Sequence, residues 1–143
     1  MLPETTDICV VETSGTQVAL RDADIASLLG RVAGPRIGDV PTMVVDGRPR
    51  ALVSLRDTLC LDTDAREDVV VMLRLGDQLL GLTVERIHAV EQARVLPTLH
   101  ATYPMAMFGQ LVEADGDGVL SVLNPARLAL CVGEAGQRYR TAA

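Results

Sequence analysis

The sequence predicts a mainly β protein built as two small antiparallel β-barrel lobes with a few short helices, and three observations carry that prediction. Short runs rich in Val, Leu and Ile recur along the chain at strand length. Pairs of turn residues separate them, Ser14-Gly15, Asp46-Gly47 and Gly76-Asp77 among them, at places where a hairpin needs φ > 0. Apolar residues make up 48% of the 143, yet Phe108, Tyr103 and Tyr139 are the only aromatics, so the core must be close-packed aliphatic side chains, which favours strands. A chain of this length suits one domain spanning 1–143, large enough to bury a core.

Each element follows from its local chemistry. Ile8-Cys9-Val10-Val11-Glu12 and Gln17-Val18-Ala19-Leu20 flank Ser14-Gly15-Thr16 and form the first hairpin. Asp22 caps a predicted short helix over Asp22–Leu29, with Ile25, Leu28 and Leu29 on one face and Gly30 at its end. Val32 to Pro41, with Gly34, Pro35 and Gly38, reads as a loop. Thr42-Met43-Val44-Val45 and Arg50-Ala51-Leu52-Val53 pair across Asp46-Gly47, and Pro49 confines the start of the return strand to an edge or non-bonded position.

Ser54 caps a predicted helical turn over Ser54–Leu59, and 62–68 is a charged connector between two hairpin-containing halves, which suggests the two lobes. The strongest hairpin comes next, where Val69-Val70-Val71-Met72-Leu73-Arg74-Leu75 returns across Gly76-Asp77 through Leu79-Leu80-Gly81-Leu82-Thr83-Val84. Gly81 interrupts a packed strand, which implies close backbone approach or a bulge. An acidic-hydrophobic segment, Glu85 to Glu91, follows, and Pro97 to Pro104 is irregular by its prolines. Gly109–Glu113 and Val119–Leu123 make a final hairpin that turns at Asp115-Gly116-Asp117-Gly118. Asn124-Pro125 opens a helix through Leu130 that Gly133 stops, and 133–143 is expected to fray.

Composition excludes several classes of function. A formal net charge of −6, with thirteen arginines spread singly and no lysine, argues against a nucleic-acid partner, which needs a clustered basic surface. No run approaches the roughly 18 apolar residues of a membrane span, and the acidic N-terminus is unlike a signal peptide, so a soluble, cytoplasmic protein without membrane insertion is expected. Cys9, Cys60 and Cys131 are odd in number, widely spaced and set in apolar runs, so they read as buried reduced thiols rather than disulfides or metal ligands.

No catalytic constellation is visible. His88 and His100 are the only histidines and fall in different predicted elements, and no Ser or Cys stands in a nucleophile motif, so both read as ordinary structural or surface residues. Asp115-Gly116-Asp117-Gly118 lacks the glycine and terminal Glu of a calcium loop and reads as a tight turn. The four-residue spacing of Gly30, Gly34 and Gly38 is not phosphate-cradling, and no lysine completes such a loop. No catalytic residue, metal or cofactor is expected, and what remains is a binding module. From composition alone, the aliphatic excess serves equally as a docking surface or as core.

The order of parts resembles the CheW-like family over about Ile8 to Leu130. In that family's first half a Gly-Val-Ile-Asn-Leu-Arg-Gly type segment precedes a Pro-Val-hydrophobic-Asp-Leu-Arg segment. Here Pro41 to Gly47 and Ala51-Leu52-Val53-Ser54-Leu55-Arg56 stand in those places. Gly47, Leu55 and Arg56 match, whereas Pro41 replaces the first glycine, Val44 the asparagine, Asp46 the arginine and Ser54 the Asp. In the second half, Val84-Glu85-Arg86-Ile87-His88-Ala89-Val90 is similar to the family's Val-Asp-x-Val-x-Asp-Val, and Gly109 with Leu123-Asn124 is similar to its closing segment. The chain reads as a divergent member.

The resemblance implies two SH3-like lobes and a non-catalytic adaptor that couples the cytoplasmic tip of chemoreceptors to the regulatory domain of a CheA-type histidine kinase. It also implies a receptor-binding groove lined by Ile25, Leu28 and Val69, with Ser27 and Asp46 at its polar rim. The family often has an acidic residue where Ser27 stands and an arginine where Asp46 stands. A like-charge clash across an interface costs several kcal/mol, so Asp46 would turn away receptors with an acidic residue at that point, unless it serves only its Asp-Gly turn. The alternatives are an adaptor of a parallel pathway, such as twitching motility or surface behaviour, and, from another class, a small-molecule-binding β-barrel. An apolar pocket with convergent polar groups would favour the last, and a groove between lobes the adaptor.

Overall fold

The computed structural model describes residues 4–96, 108–114 and 118–130. Among these described residues ten strands form two sheets. A closed barrel has the order β1 (Thr5–Thr13), β2 (Thr16–Arg21), β10 (Gly118–Leu123), β9 (Phe108–Ala114) and β8 (Arg86–Val95). A five-stranded sheet has the order β3 (Ile25–Gly30), β6 (Val69–Leu75), β7 (Gln78–Val84), β5 (Arg48–Ser54) and β4 (Thr42–Val45). The mainly β, two-lobed architecture is the one expected. The lobes are not the two halves of the sequence, however. Both ends of the described chain build the barrel, the middle builds the second sheet, and 62–68 leads from one element of that sheet to another.

Local turn chemistry sets the hairpins. Ser14 and Gly15 have φ of 52° and 80°, and Asp46 and Gly47 have 54° and 75°, so both turns are left-handed at both central residues, which suits the right-handed twist of the strands they join. Gly76 supplies a φ of 60° between β6 and β7. Pairing is mostly antiparallel, but β5 runs parallel to β7 from Leu52↔Gly81 to Ser54↔Thr83, and β10 touches β2 in parallel at Val122↔Ala19. Pro49 pairs only across the β4 side, before the β7 ladder begins, so its missing N–H costs nothing in that ladder.

The predicted helix over Asp22–Leu29 is a correction. A 3-10 turn covers Asp22–Asp24, and Ile25–Gly30 is strand β3, paired with β6 through a bulge between Ile25 and Ser27. Eight residues are too few to hold a helix without packing. Beside the backbone of a Val-rich strand, the same segment satisfies a full ladder instead. The guanidinium of Arg74 on β6 pins the junction by donating to the Ala23 and Ile25 carbonyls. The other two helices stand as expected. In α1 (Leu55–Thr58) the Ser54 hydroxyl accepts from the Asp57 N–H, and in α2 (125–130) Asn124 Oδ1 accepts from the Ala126 N–H. The irregular stretch expected over Pro97 to Pro104 and the frayed tail lie outside the described residues.

Strands buried on both faces explain the continuous apolar runs. On β1, Ile8 and Val10 fill the barrel with Ala19, Val112 and Leu120, while Cys9 and Val11 point the other way. These join Leu20, Leu55, Val71, Leu82, Val84 and Leu128 in a core between the two sheets. The far face of the second sheet has its own cluster of Met43, Leu52, Val70 and Met72. Ala26 and Leu29 of β3 pack on it together with Val45 of β4, so residues of both edge strands cover it and the sheet curls as a half-barrel. Gly81 faces this cluster, where an added Cβ would lie 2.5 Å from Leu52 Cδ2 and 2.9 Å from Met72 Cε. Close approach, not a bulge, is therefore its reason, since the β6–β7 register is unbroken there.

Candidate functional site

The groove residues expected from the sequence distribute unevenly. Ile25, Ser27 and Leu28 share β3, and Val69 lies across from Gly30 at the start of β6, so these four occupy one two-stranded ribbon. Leu28 is 52% exposed and available for contact, whereas Ile25 and Val69 are half-buried against the core between the sheets. Asp46 is not on that ribbon. It sits at the tip of the β4–β5 hairpin, on the opposite edge of the sheet in strand order, and its left-handed backbone shows that the turn uses it. Among the described residues, four of the seven exposed large apolar side chains, Leu28, Val32, Ile37 and Val44, fall on β3, β4 and the segment joining them, which makes this stretch the main aliphatic surface described.

Beside the end of β3 lies an open cleft of about 600 Å³. Residues 31–36 form one wall and 64–68 the other. Its floor includes Glu67, which is the feature that the sequence reading missed: within the charged connector this carboxylate is 4% exposed. Oε2 accepts from the Thr13 hydroxyl at 2.8 Å and the Arg56 N–H at 3.1 Å. Oε1 accepts from the Ser54 hydroxyl, and the Thr83 hydroxyl lies 3.4 Å away. Burying a charge costs several kcal/mol unless its lone pairs are filled, and here they are. The N–H groups of Glu85 and Asp57 donate in turn to Thr13 Oγ1 and Ser54 Oγ, which orients both hydroxyl protons towards the carboxylate. Thr13 belongs to the barrel and Ser54 and Thr83 to the second sheet, so one side chain ties the two together. A Glu among acidic neighbours carries no local signal of this; only the fold brings the hydroxyls to it.

His88 is partly exposed, with Nε2 at 3.3 Å from Glu12 Oε1 across β8 and β1, as an ordinary surface histidine would be. Gln17 Nε2 donates to the same oxygen at 2.8 Å. This hydrogen bond holds the Glu12 carboxyl below its ordinary value against the opposing effect of desolvation, and His88 and Arg86 act in the same direction as Gln17. Burial, and then the charge of Asp22, push the Cys9 thiol up. Cys60 corrects the expectation of burial: α1 ends just before it, its φ is 55°, and the thiol is exposed. Cys131 and His100 lie outside the described residues. Among the described residues no three His, Cys, Asp or Glu side chains gather as a metal site requires, and no helix is long and apolar enough to cross a membrane.

A closed barrel and a half-barrel sharing one core, with both ends of the described residues' strand order in the first and its middle in the second, make a two-lobed β fold of CheW-like architecture. The solved structure that carries this comparison is the scaffolding protein TtCheW from Thermoanaerobacter tengcongensis, which superposes with a TM-score of 0.72 over 86% of this chain and 90% of that one at 16% identity. No family model matches the sequence. No curated protein matches it either.

Proposed function

We propose that this chain is a non-catalytic cytoplasmic adaptor that links chemoreceptor tips to the regulatory domain of a CheA-type histidine kinase. The observation that carries the reading is the fold shared with a scaffolding protein over 86% of one chain and 90% of the other. The charged lining of the cleft, with Arg31, Arg36, Arg56 and Arg66, does not fit the apolar pocket of a small-molecule-binding barrel. Receptors are expected to meet the β3–β6 ribbon, with Leu28 as the exposed anchor, Ile25 and Val69 beneath it and Ser27 at the rim, whereas Asp46 serves the β4–β5 turn away from that ribbon.

Isothermal titration calorimetry against the cognate kinase regulatory domain tests the adaptor role. A complex at micromolar concentrations is expected, and no heat or co-elution at that level overturns it. For the groove, Leu28→Ser is the clean variant, because Leu28 is exposed while Ile25 and Val69 also serve the core. Loss of receptor binding with kinase binding retained is the expected result.

A further inference from the structure

We infer that the arginine-lined cleft is a docking site for an extended acidic peptide segment of a partner protein. The inference does not depend on the adaptor reading, and none of the five expected groove residues lines the cleft. The chain is acidic overall at −6, yet four of its thirteen arginines converge on this one cleft. Three carboxylates, Asp64, Glu67 and Asp68, share the lining, but Glu67 is turned inward to its own donors. The lining is thus formally positive by one charge in a chain that is acidic overall.

The walls are fixed before any partner arrives. The Arg31 N–H donates to the Asp68 carbonyl at 2.8 Å, which joins the two walls. Gly34 lies so close to β4 that a Cβ would stand 2.4 Å from the Thr42 carbonyl oxygen, and the Thr42 hydroxyl donates to the Pro35 carbonyl. Internal partners take only part of the guanidinium capacity: Arg31 reaches the Glu67 carbonyl at 3.4 Å, Arg36 the Asp39 carbonyl at 3.0 Å and Arg56 the Ala65 carbonyl at 3.3 Å, while Arg56 and Arg66 also lie 3.5 Å from the Asp57 and Asp68 carboxylates. Each guanidinium has five N–H groups, so donors remain for a carboxylate ligand.

Size and chemistry select the ligand. A cleft of about 600 Å³ is far larger than a single small anion, and its guanidiniums come from both walls rather than from one cradle. That spread suits carboxylates set along an extended chain, and Val32, on the wall and 65% exposed, offers apolar contact between them. Single-stranded nucleic acid fits poorly, because among the described residues no aromatic side chain lines the cleft for base stacking and the chain's net charge opposes a polyphosphate.

The test is fluorescence anisotropy with a fluorescein-labelled peptide of about twelve residues alternating Glu and Ala, with a Gln-for-Glu peptide as control. The expected result is micromolar binding that weakens with salt, at least about tenfold weaker binding of the Gln peptide, and a loss of about tenfold for the Arg36→Gln/Arg66→Gln double variant. Both arginines are exposed, so the variant keeps its fold, which circular dichroism checks. Arg94→Gln, on the barrel, is expected to change nothing. Any of three results overturns the inference: equal binding of the Gln peptide, unchanged affinity in the double variant, or displacement of the peptide by inorganic phosphate or an oligothymidylate at matching concentrations.

Discussion

Removing the acceptor at Glu67 is expected to cost more than any surface charge in this protein. In Glu67→Ala the Arg56 N–H and the hydroxyls of Thr13 and Ser54 lose their acceptor inside the fold. A stranded buried donor costs about 1–3 kcal/mol, and the truncation also leaves a void, so about 3–5 kcal/mol is expected once non-additivity is allowed for. Glu67→Gln separates shape from charge. Its amide oxygen must take the Oε2 position, because the Arg56 N–H cannot turn round, so the NH₂ group faces Ser54 and Thr83. The Ser54 hydroxyl already accepts from the Asp57 N–H and would have to point its own proton elsewhere, so a loss of about 1–3 kcal/mol is expected. Guanidinium unfolding followed by circular dichroism measures both, with the midpoint shifting and the slope retained. A loss below about 1 kcal/mol for Glu67→Ala, or equal losses for Ala and Gln, would refute the argument that filled lone pairs hold this charge in place.

Three further outcomes follow from other parts of the structure. Gly34→Ala meets backbone, the Thr42 oxygen, and is expected to be more damaging than Gly81→Ala, which meets the movable ends of Leu52 and Met72 and should cost about 1–3 kcal/mol by overpacking; chemical unfolding of the pair decides the order. Iodoacetamide applied to the native protein and read by peptide mass mapping is expected to modify Cys60 quickly and to leave Cys9 intact, because burial raises the Cys9 thiol; equal rates would contradict this. The Glu12 carboxyl is held below its ordinary value, so the stability it contributes is present above the unfolded carboxylate range of about 4.3 and is lost as pH falls through the depressed folded value. Unfolding midpoints of Glu12→Gln and the parent chain should therefore converge on acidification, and a gap that widens would reverse the sign.

What could be read from the sequence was what turns decide. Ser14-Gly15, Asp46-Gly47 and Gly76-Asp77 fix their hairpins within a few residues, so local chemistry was enough. The β3 strand was not legible because its periodicity suited a helix face and its partner, β6, lies about forty to fifty residues on, in a register from Ile25↔Leu73 to Gly30↔Val69. The Arg86–Val95 strand escaped because it is mostly exposed and lacks a buried alternation to announce it. Division into lobes depends on the β1–β8 closure and on the parallel contacts, none of which leaves a local mark. Of the residues expected to line a groove, Ile25, Ser27, Leu28 and Val69 fall on the paired strands β3 and β6, but Asp46 and the caged Glu67 show the limit: side-chain partners from other strands are a property of topology.

Nesting the second sheet between β2 and β8 also imposes a schedule on synthesis. Once Val84 has left the ribosome, every strand of the middle sheet exists and can pair, while the first hairpin still lacks β8, whose Glu91 must reach Ile8, and the whole β9–β10 hairpin. At about 5–20 residues per second, the side of that hairpin with Ile8, Val10 and Ala19 waits for seconds without its covering strands. The opposite side, with Cys9, Val11 and Leu20, can meet the finished middle sheet first. The nascent chain is therefore most vulnerable to aggregation, and most in need of a chaperone, in the interval before β10 emerges, and the part exposed is the β1–β2 hairpin.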